Sequence, residues 1–483
     1  MELSPKIALQ PFIAFQPNDN LNYLSYIRGG GGAADGYLRF SEARVDSPHA
    51  KFEVEFSNND LVHIRSCQNN KYWERTQNIS ITGDISTQYW ITATAEKKEE
   101  DQTKESCTLF KVSILTNMDE KKTVRIMHVQ SGCYLRLWKL SSTTYNRCVL
   151  ANHKVSDGLK TDVFTTIDWM SVLVLPRYVA FKGDIGKYLA LRSNESYPYL
   201  QFATEDIGDP TVACEVFANN DGPVRIKQIS NQNYWRRSPD WIWADSKDTT
   251  SNNKDTLFRP IKVNDQTIGL INLGNGNYCK RLTADGKTDC LNAAISSATK
   301  DTQLTVAEAV LTREIYGVRY DLDNARVYNE QILSLDKKTS RNPASEASTL
   351  EVLISYTETR TRSWNNMFSL KSGVKSTMEF KLPLIFEGKI ELSSELQTGV
   401  EWGKENTFKT HIEAVHKITV RPMTEATVSV FATKGECDVP FTYLQRDTLF
   451  DGSTVISEVQ GGTFTGSNYY NINFVTTEKK IED

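Results

Sequence analysis

The chain has 483 residues, and at about 100–200 residues per domain this length predicts about three domains. Its formal net charge of −4, from 56 Lys and Arg against 60 Asp and Glu, argues against a basic surface for nucleic acid or for an anionic membrane. Only 39% of the residues are hydrophobic and no run of about 18 apolar residues occurs, so the sequence predicts no transmembrane helix.

The N-terminal segment MELSPKIALQPFIAF lacks the sustained apolar core and the small-residue cleavage site of a signal peptide. We therefore expect a cytoplasmic or nucleocytoplasmic protein. The eight cysteines form no CxxC pair and have no nearby histidine at metal-ligand spacing. We expect them to be free thiols, and we expect neither a metal ion nor a cofactor.

Three segments recur at one common spacing of 162 residues, which indicates an internal duplication. They are GYLRF at 36–40 with PYLQF at 198–202, VHIR at 62–65 with VRIK at 224–227, and NNKYWERT at 69–76 with NQNYWRRS at 231–238.

The duplication predicts two domains over residues 1–170 and 176–312, with a linker at 165–176. Each copy consists of short apolar runs separated by Asn, Asp, Gly and Ser turns, which is typical of an all-β sandwich or barrel. After residue 312 the composition shifts towards Thr, Ser, Glu and long alternating strands. A third, elongated antiparallel β domain is therefore predicted over 313–483.

Each copy carries a Tyr-Trp-x-Arg element that could bind a sugar. A pyranose is recognised by an aromatic ring against its apolar C–H face and by amide, carboxylate or guanidinium groups that bond its hydroxyls. The candidate carbohydrate-binding residues are Asn70, Tyr72, Trp73, Arg75, Asn231, Tyr234, Trp235 and Arg237.

The alternative is that one aromatic residue of each Tyr-Trp pair packs in a β core, since adjacent strand residues point to opposite faces and at most one should be buried. Trp241 and Trp243 align at the same spacing with Ile79 and Ile81, which favours core packing for both tryptophans.

No P-loop, GxSxG or HExxH motif is present, and the six histidines are dispersed. We therefore predict a binding protein rather than an enzyme, with no catalytic residue. Because acidic residues are plentiful, a glycosidase carboxylate pair stays open as an alternative.

The doubled NKYW and NYWRRSPDWIWADS pattern, with YLRF and YLQF upstream, resembles the agglutinin domain of amaranthin-like plant lectins over about residues 1–312. The resemblance implies a β-trefoil for each copy and recognition of galactose or N-acetylgalactosamine glycans such as the T-antigen disaccharide. It also implies a dimer in which the first domain of one subunit meets the second domain of the other at the sugar site. The expected partners are thus these glycans and further copies of the chain.

The third domain looks like the aerolysin-type β pore-forming domain that some plant members of this family carry. Within it, residues 376–400 alternate apolar and polar positions over more than twenty residues. The candidate membrane-hairpin residues are Met378, Phe380, Leu382, Leu384, Phe386, Gly388, Ile390, Leu392 and Leu396.

A three-residue turn at 387–389 would keep these residues on one face, with Phe386 opposite Ile390 and Leu384 opposite Leu392. A two-residue turn would place Phe386 opposite Lys389 and break that pattern. Arms of about 11 residues are long enough for tilted strands to cross a bilayer.

The predicted function is a defence lectin whose third domain forms oligomeric β-barrel pores in a target membrane. Pro383 and Ile385 interrupt the polar face of the hairpin, so the segment LPLIF is either part of a hydrophobic tip or a sign that the hairpin stays docked on its own domain. The alternatives are a lectin whose third domain only mediates oligomerisation, a glycan-processing enzyme, and a cytoskeletal bundler.

Overall fold

The computed structural model describes residues 9–29, 32–78, 81, 88–118, 121–139, 144–156, 158–219, 222–250, 252–365, 376–398 and 404–481. The side chains of residues 117, 118, 121, 376–379 and 395–398 lie outside this description. Apart from short 3-10 turns, the regular structure in these residues is all strand, as predicted. The turns are Pro48–Ala50, Trp169–Ser171, Lys254–Thr256 and Lys300–Thr302. Among these residues, no helix has the length and apolarity needed to cross a membrane.

The first repeat forms twelve short antiparallel strands, and its first strand pairs with its last, from Ile13 opposite Asp168 to Pro17 opposite Phe164. The strands are β1 (Phe12–Pro17), β2 (Tyr23–Tyr26), β3 (Leu38–Glu42), β4 (Phe52–Phe56), β5 (Leu61–Ser66), β6 (Tyr72–Gln77), β7 (Tyr89–Ala95), β8 (Phe110–Met118), β9 (Lys121–His128), β10 (Cys133–Leu137), β11 (Val149–His153) and β12 (Phe164–Asp168).

The second repeat has the same twelve-strand plan, and its first and last strands pair from Val179 opposite Glu308 to Lys182 opposite Thr305. The strands are β13 (Tyr178–Lys182), β14 (Tyr188–Asn194), β15 (Tyr197–Thr204), β16 (Cys214–Ala218), β17 (Val224–Gln228), β18 (Tyr234–Ser238), β19 (Trp241–Ser246), β20 (Phe258–Lys262), β21 (Thr267–Asn272), β22 (Tyr278–Ala284), β23 (Lys287–Ile295) and β24 (Leu304–Glu308). Pairing of the end strands closes each repeat, so that its inward-facing apolar residues form one core.

The remaining strands are much longer, because their alternation of apolar and polar residues runs on without turn residues. They are β25 (Val310–Tyr320), β26 (Arg326–Asn342), β27 (Ser348–Asn365), β28 (Ser376–Phe386), β29 (Lys389–Thr398), β30 (Asn406–Val420), β31 (Thr424–Leu449) and β32 (Thr454–Lys480). They form one sheet in the order β29-β28-β25-β31-β32-β27-β30, and β26 pairs with β31. One core of this sheet gathers around Trp364, Phe441, Tyr443 and Phe464.

The chain divides into two compact units, and the division differs from a simple cut at residue 312. The turn that joins β31 to β32, within Arg446–Ser457, belongs to the unit of the two repeats. There Leu449 is buried against Tyr178 and Val310. Arg313 donates to Asp447 at 2.7 Å and also pairs with Glu308, and all three side chains are nearly buried. Two carboxylates that share one guanidinium hold this turn in place.

Three histidines of the first repeat, of which His63 and His128 are buried and His49 is half-buried, should make it sensitive to acid. Burial lowers the pKa of His49 and of His128 to about 4 and also lowers the pKa of His63. An unfolded histidine titrates near 6.5, so below that pH the unfolded chain binds protons that the folded repeat does not. The unfolding free energy of this repeat is therefore expected to fall as pH drops from about 6.5 towards 4.

Hydrogen exchange read by mass spectrometry at pH 7, 6 and 5, corrected for the intrinsic exchange rate, measures this effect domain by domain. His128→Gln should lose less protection between pH 7 and pH 5 than the wild type, because the substituted side chain does not titrate. His411→Gln is the control, since this histidine is largely exposed. Equal pH dependence in His128→Gln and the wild type would contradict the assignment.

Candidate functional site

The two tryptophans predicted to contact sugar lie at the centres of the domain cores. Trp73 is 1% exposed and packs on the rings of Phe15 and Phe52, each with centroids 5.3 Å away. Trp235 is fully buried, with its ring centroid 5.5 Å from that of Phe181 and 6.1 Å from that of Phe258. Neither indole is open to a ligand, so packing accounts for these two positions.

The other candidates in the first repeat also make internal contacts. Tyr72 is buried and donates to Glu55 at 2.9 Å, and Asn70 is buried and accepts from Arg65. The expectation that only one of Tyr72 and Trp73 is buried is therefore wrong. Both faces of the sheet are covered here, since every residue of the neighbouring strand β5 is buried and the Tyr72 ring centroid lies 6.2 Å from that of His63. Arg75 donates to the Ala151 carbonyl at 3.1 Å.

In the second repeat the candidates support the turns around the sheet. Asn231 donates to the Ala244 carbonyl at 2.8 Å and accepts from the Asn233 backbone at 3.1 Å. Arg237 donates to Asp255 at 2.9 Å. Tyr234 is half-buried, with its ring centroid 5.6 Å from that of Phe217.

The strand pairing corrects the sequence alignment of Trp241 and Trp243. Trp235 lies opposite Ala244 and Arg236 opposite Trp243, just as Trp73 lies opposite Ala93 and Glu74 opposite Thr92. Trp243 therefore corresponds to Thr92, and Trp241 to the buried Trp90, rather than to Ile81 and Ile79. Of the two tryptophans predicted to be buried, Trp241 is buried and Trp243 is only half-buried.

Trp243 forms part of an exposed aromatic platform that the sequence reasoning missed. We define the platform as Tyr197, Trp243, Arg236 and Asp245. The Tyr197 ring stacks on Trp243 with centroids 4.4 Å apart and planes at 18°, and Tyr197 is 48% exposed. The Arg236 guanidinium lies 5.3 Å from the Trp243 ring centroid and makes two hydrogen bonds of 2.7 Å to Asp245.

A tight turn and a buried tyrosine position the platform. Glu195 and Ser196 both have positive φ, of 49° and 68°, which is the backbone of a type I′ hairpin turn and places Tyr197 at the start of β15. Beneath the platform, Tyr199 is buried and its ring centroid lies 5.5 Å from that of Trp243. The stacked rings are thus held before any ligand arrives.

The hairpin of the third domain has a different turn from the predicted one. Phe386 lies opposite Lys389 and Leu384 opposite Glu391, so the turn consists of Glu387 and Gly388 alone. Both residues have positive φ, 49° and 78°, as a type I′ turn requires. The predicted three-residue turn is therefore wrong.

On β28, two odd-numbered positions close to the turn are buried. Pro383 and Ile385 are buried, and the register shifts between Lys381 and Pro383. Phe380 is buried too, with its ring centroid 4.6 Å from that of Trp364. The shift lets even-numbered Phe380 and odd-numbered Ile385 join the same core.

The other candidate hairpin residues are less buried. Leu382, Leu384 and Ile390 are half-buried, while Phe386 is 57% and Leu392 is 38% exposed. The candidate residues Met378 and Leu396 have side chains outside the described residues.

One amide side chain attaches this hairpin to its domain. Asn468 accepts a hydrogen bond from the Ile385 backbone N–H at 2.9 Å and donates to the Ile385 carbonyl at 2.8 Å. Asn468 is buried, so both bonds are shielded from water. Asn468 thus satisfies both backbone hydrogen-bonding groups of Ile385.

In the described residues, the cysteine thiols and the metal-ligating side chains give no candidate for a reactive or metal-binding site. All eight cysteines are free and seven are buried, as expected of small core residues. Burial raises the pKa of Cys148 and of Cys437 to about 12, so these thiols are protonated at neutral pH. No group of three His, Cys, Asp or Glu side chains that could hold a metal ion occurs in the described ranges.

The two repeats match the Agglutinin domain family over residues 8–168 and 173–310, which is more than half of the chain. The chain belongs to this family. Comparison with curated proteins gives no significant match.

Several solved structures are similar to parts of the chain. A lamprey immune protein is 14% identical with a TM-score of 0.32, covering 63% of this chain and 91% of its own. A mosquitocidal holotoxin is 10% identical with a TM-score of 0.29, covering 69% of this chain and 38% of its own. An aerolysin-like protein from Bombina maxima is 12% identical with a TM-score of 0.24, covering 34% of this chain and 99% of its own. At these values the likenesses establish no function for this chain.

Removal of a core indole should destabilise its domain. Trp235→Ala is expected to cost about 3–5 kcal/mol of unfolding free energy in the second repeat, because it leaves a large cavity between Phe181 and Phe258. Trp243→Ala is the matched control in the same domain and should cost clearly less, since that ring is half-exposed. Urea denaturation measures both variants, and equal losses would contradict the assignment of Trp235 to the core.

Proposed function

We propose that this chain is a lectin that binds galactose- or N-acetylgalactosamine-type glycans, such as the T-antigen disaccharide, and that it acts by binding rather than by catalysis. The single observation that carries the proposal is the duplicated Agglutinin domain. The platform of Tyr197, Trp243, Arg236 and Asp245 adds an exposed aromatic face beside charged groups, the combination that a sugar requires. Association of several chains would allow multivalent attachment.

We further propose that the third domain forms oligomeric β-barrel pores once glycans have concentrated the protein on a membrane. The hairpin strands β28 and β29 have 11 and 10 residues, close to the ~9–11 residues that a tilted strand needs to cross a bilayer. Phe386 and Leu392 place apolar surface near its turn. Insertion requires the two Asn468 hydrogen bonds to break and Ile385 to leave its core, so the docked hairpin is the form before insertion.

Dye release from liposomes tests both parts together. Liposomes that carry a galactosyl glycolipid should bind the protein and release dye, whereas liposomes without it should do neither. Leu392→Asp should bind normally but release at most a small fraction of the dye, because a charge on the lipid face of a membrane-spanning strand is destabilising. Val415→Asp is the matched control, an exposed apolar position outside the hairpin, and should release dye like the wild type.

The same assay separates the alternative. Binding with agglutination and without dye release would favour a lectin whose third domain only mediates oligomerisation. Absence of binding to every galactosyl or N-acetylgalactosaminyl glycan on an array would contradict the lectin proposal itself.

A further inference from the structure

We propose that the third domain binds a small amphiphile, a carboxylate on a short apolar chain, in a cavity beneath the docked hairpin. The cavity has a volume of about 250 Å³ and is lined by residues of strands β27, β28, β30 and β32 together with Ser393 of β29. All of these residues lie in the compact unit that holds most of the long strands. This ligand differs from the glycan proposed for the two repeats.

The irregular part of the hairpin forms one wall of the cavity. Leu382, Pro383 and Leu384 line it, at the point where the register of β28 against β29 shifts. Pro383 has no N–H to donate, and the Leu382 N–H donates to the Ser393 hydroxyl at 3.0 Å. Register shifts of this kind are common next to functional sites, where they redirect side chains or end the pairing of strands.

Strand β32 supplies a buried wall and β30 supplies an exposed one. Phe464, Gly466 and Ser467 line the cavity from β32, and all three are buried. A Cβ atom on Gly466 would lie 2.7 Å from the Phe464 ring, so the glycine allows this ring to approach closely. Phe408 is 42% exposed and Thr410 is also exposed, so a ligand can enter from solvent beside these two residues.

Two arginines of β27 give the cavity its positive charge. Arg360 donates to the buried carboxylate of Glu358 at 2.7 Å, which neutralises it. The Arg362 guanidinium lies 4.0 Å from the ring centroid of Phe408 and 5.7 Å from that of Trp364. Contact with these rings fixes the orientation of the planar guanidinium. None of the described residues that line the cavity is acidic.

These walls favour a short-chain carboxylate. A guanidinium has five N–H donors, so Arg362 can hold a carboxylate by two parallel hydrogen bonds and keep another contact as well. Leu384, Phe408 and Phe464 offer apolar surface to the chain of the ligand. At ~30 Å³ for each water-sized group, the cavity holds roughly eight such groups, which is the size of hexanoate.

A bound ligand holds the hairpin in its docked position. It contacts β28 of the hairpin and β27 and β32 of the sheet at once, so it binds the docked form only. Asn468, which bonds the backbone of Ile385, also lines the cavity. A ligand that binds one of two forms shifts the equilibrium towards that form. If the hairpin inserts into membranes as proposed, the carboxylate therefore opposes insertion.

Titration of the full chain with hexanoate and with hexanol, followed by ligand-observed nuclear magnetic resonance, tests the site. The wild type should bind hexanoate about tenfold or more tightly than hexanol, because hydrogen bonds to a charged group are the stronger ones. Arg362→Gln should lose this preference. Arg421→Gln, in the same unit and with an arginine side chain that is 82% exposed, should keep it. Thr410→Trp fills the entrance and should weaken both ligands about tenfold or more.

Hydrogen exchange of the full chain gives a readout that does not depend on membranes. Hexanoate should slow exchange in peptides that cover residues 380–392 and leave the two repeats unchanged. Thermal unfolding checks that each variant is folded. Absence of hexanoate binding, equal binding of hexanoate and hexanol by the wild type, or equal slowing in the wild type and Arg362→Gln would each overturn the site.

Dye release from glycolipid liposomes then tests the effect on the hairpin, which rests on the proposed pore formation. Hexanoate should slow release by the wild type and by Arg421→Gln, and should have little effect on Arg362→Gln. A wild type that binds hexanoate but releases dye at an unchanged rate overturns the hold on the hairpin. A wild type that binds hexanoate but never releases dye overturns pore formation and leaves the carboxylate site standing.

Discussion

Burial of one indole among phenylalanine rings is the interaction on which the architecture of both agglutinin domains depends. Trp73 and Trp235 hold equivalent positions beside the bulge of paired strands, and each packs against rings from other strands of its closed sheet. A ring this large fixes which residues face inward on several strands at once. The surface positions between these contacts are then free to change without loss of the fold.

The two repeats differ in the residues at these surface positions. The second repeat carries the stacked pair Tyr197 and Trp243 on its surface, whereas the first has threonine and acidic side chains there. The first repeat instead contains three histidines whose pKa values are lowered, two of them buried, and residues 173–310 contain no histidine. One fold therefore carries an exposed aromatic pair in one copy and histidines with lowered pKa values in the other.

Sequence reasoning recovered the all-β class and the duplication, because alternation and exact spacing survive in local patterns. It misassigned the tryptophans because the connection between β6 and β7 runs from Gln77 to Tyr89, while that between β18 and β19 runs only from Ser238 to Trp241. Because the two connections differ in length, alignment at a fixed spacing of 162 residues pairs the wrong residues after them. The sequence predicted the wrong hairpin turn because the register of the two strands depends on the burial of Ile385 in the core of the domain. This burial is a tertiary contact, and the alternation of apolar and polar residues within the hairpin gives no information about it.

The central claim is that sugar meets the surface tryptophan rather than the core tryptophans. Nuclear magnetic resonance of the indole N–H groups in the full chain, titrated with Galβ1–3GalNAc, tests it most directly. The account predicts that the Trp243 resonance shifts in a saturable manner while those of Trp73 and Trp235 stay in place. A saturable shift of Trp73 with Trp243 unchanged would contradict it.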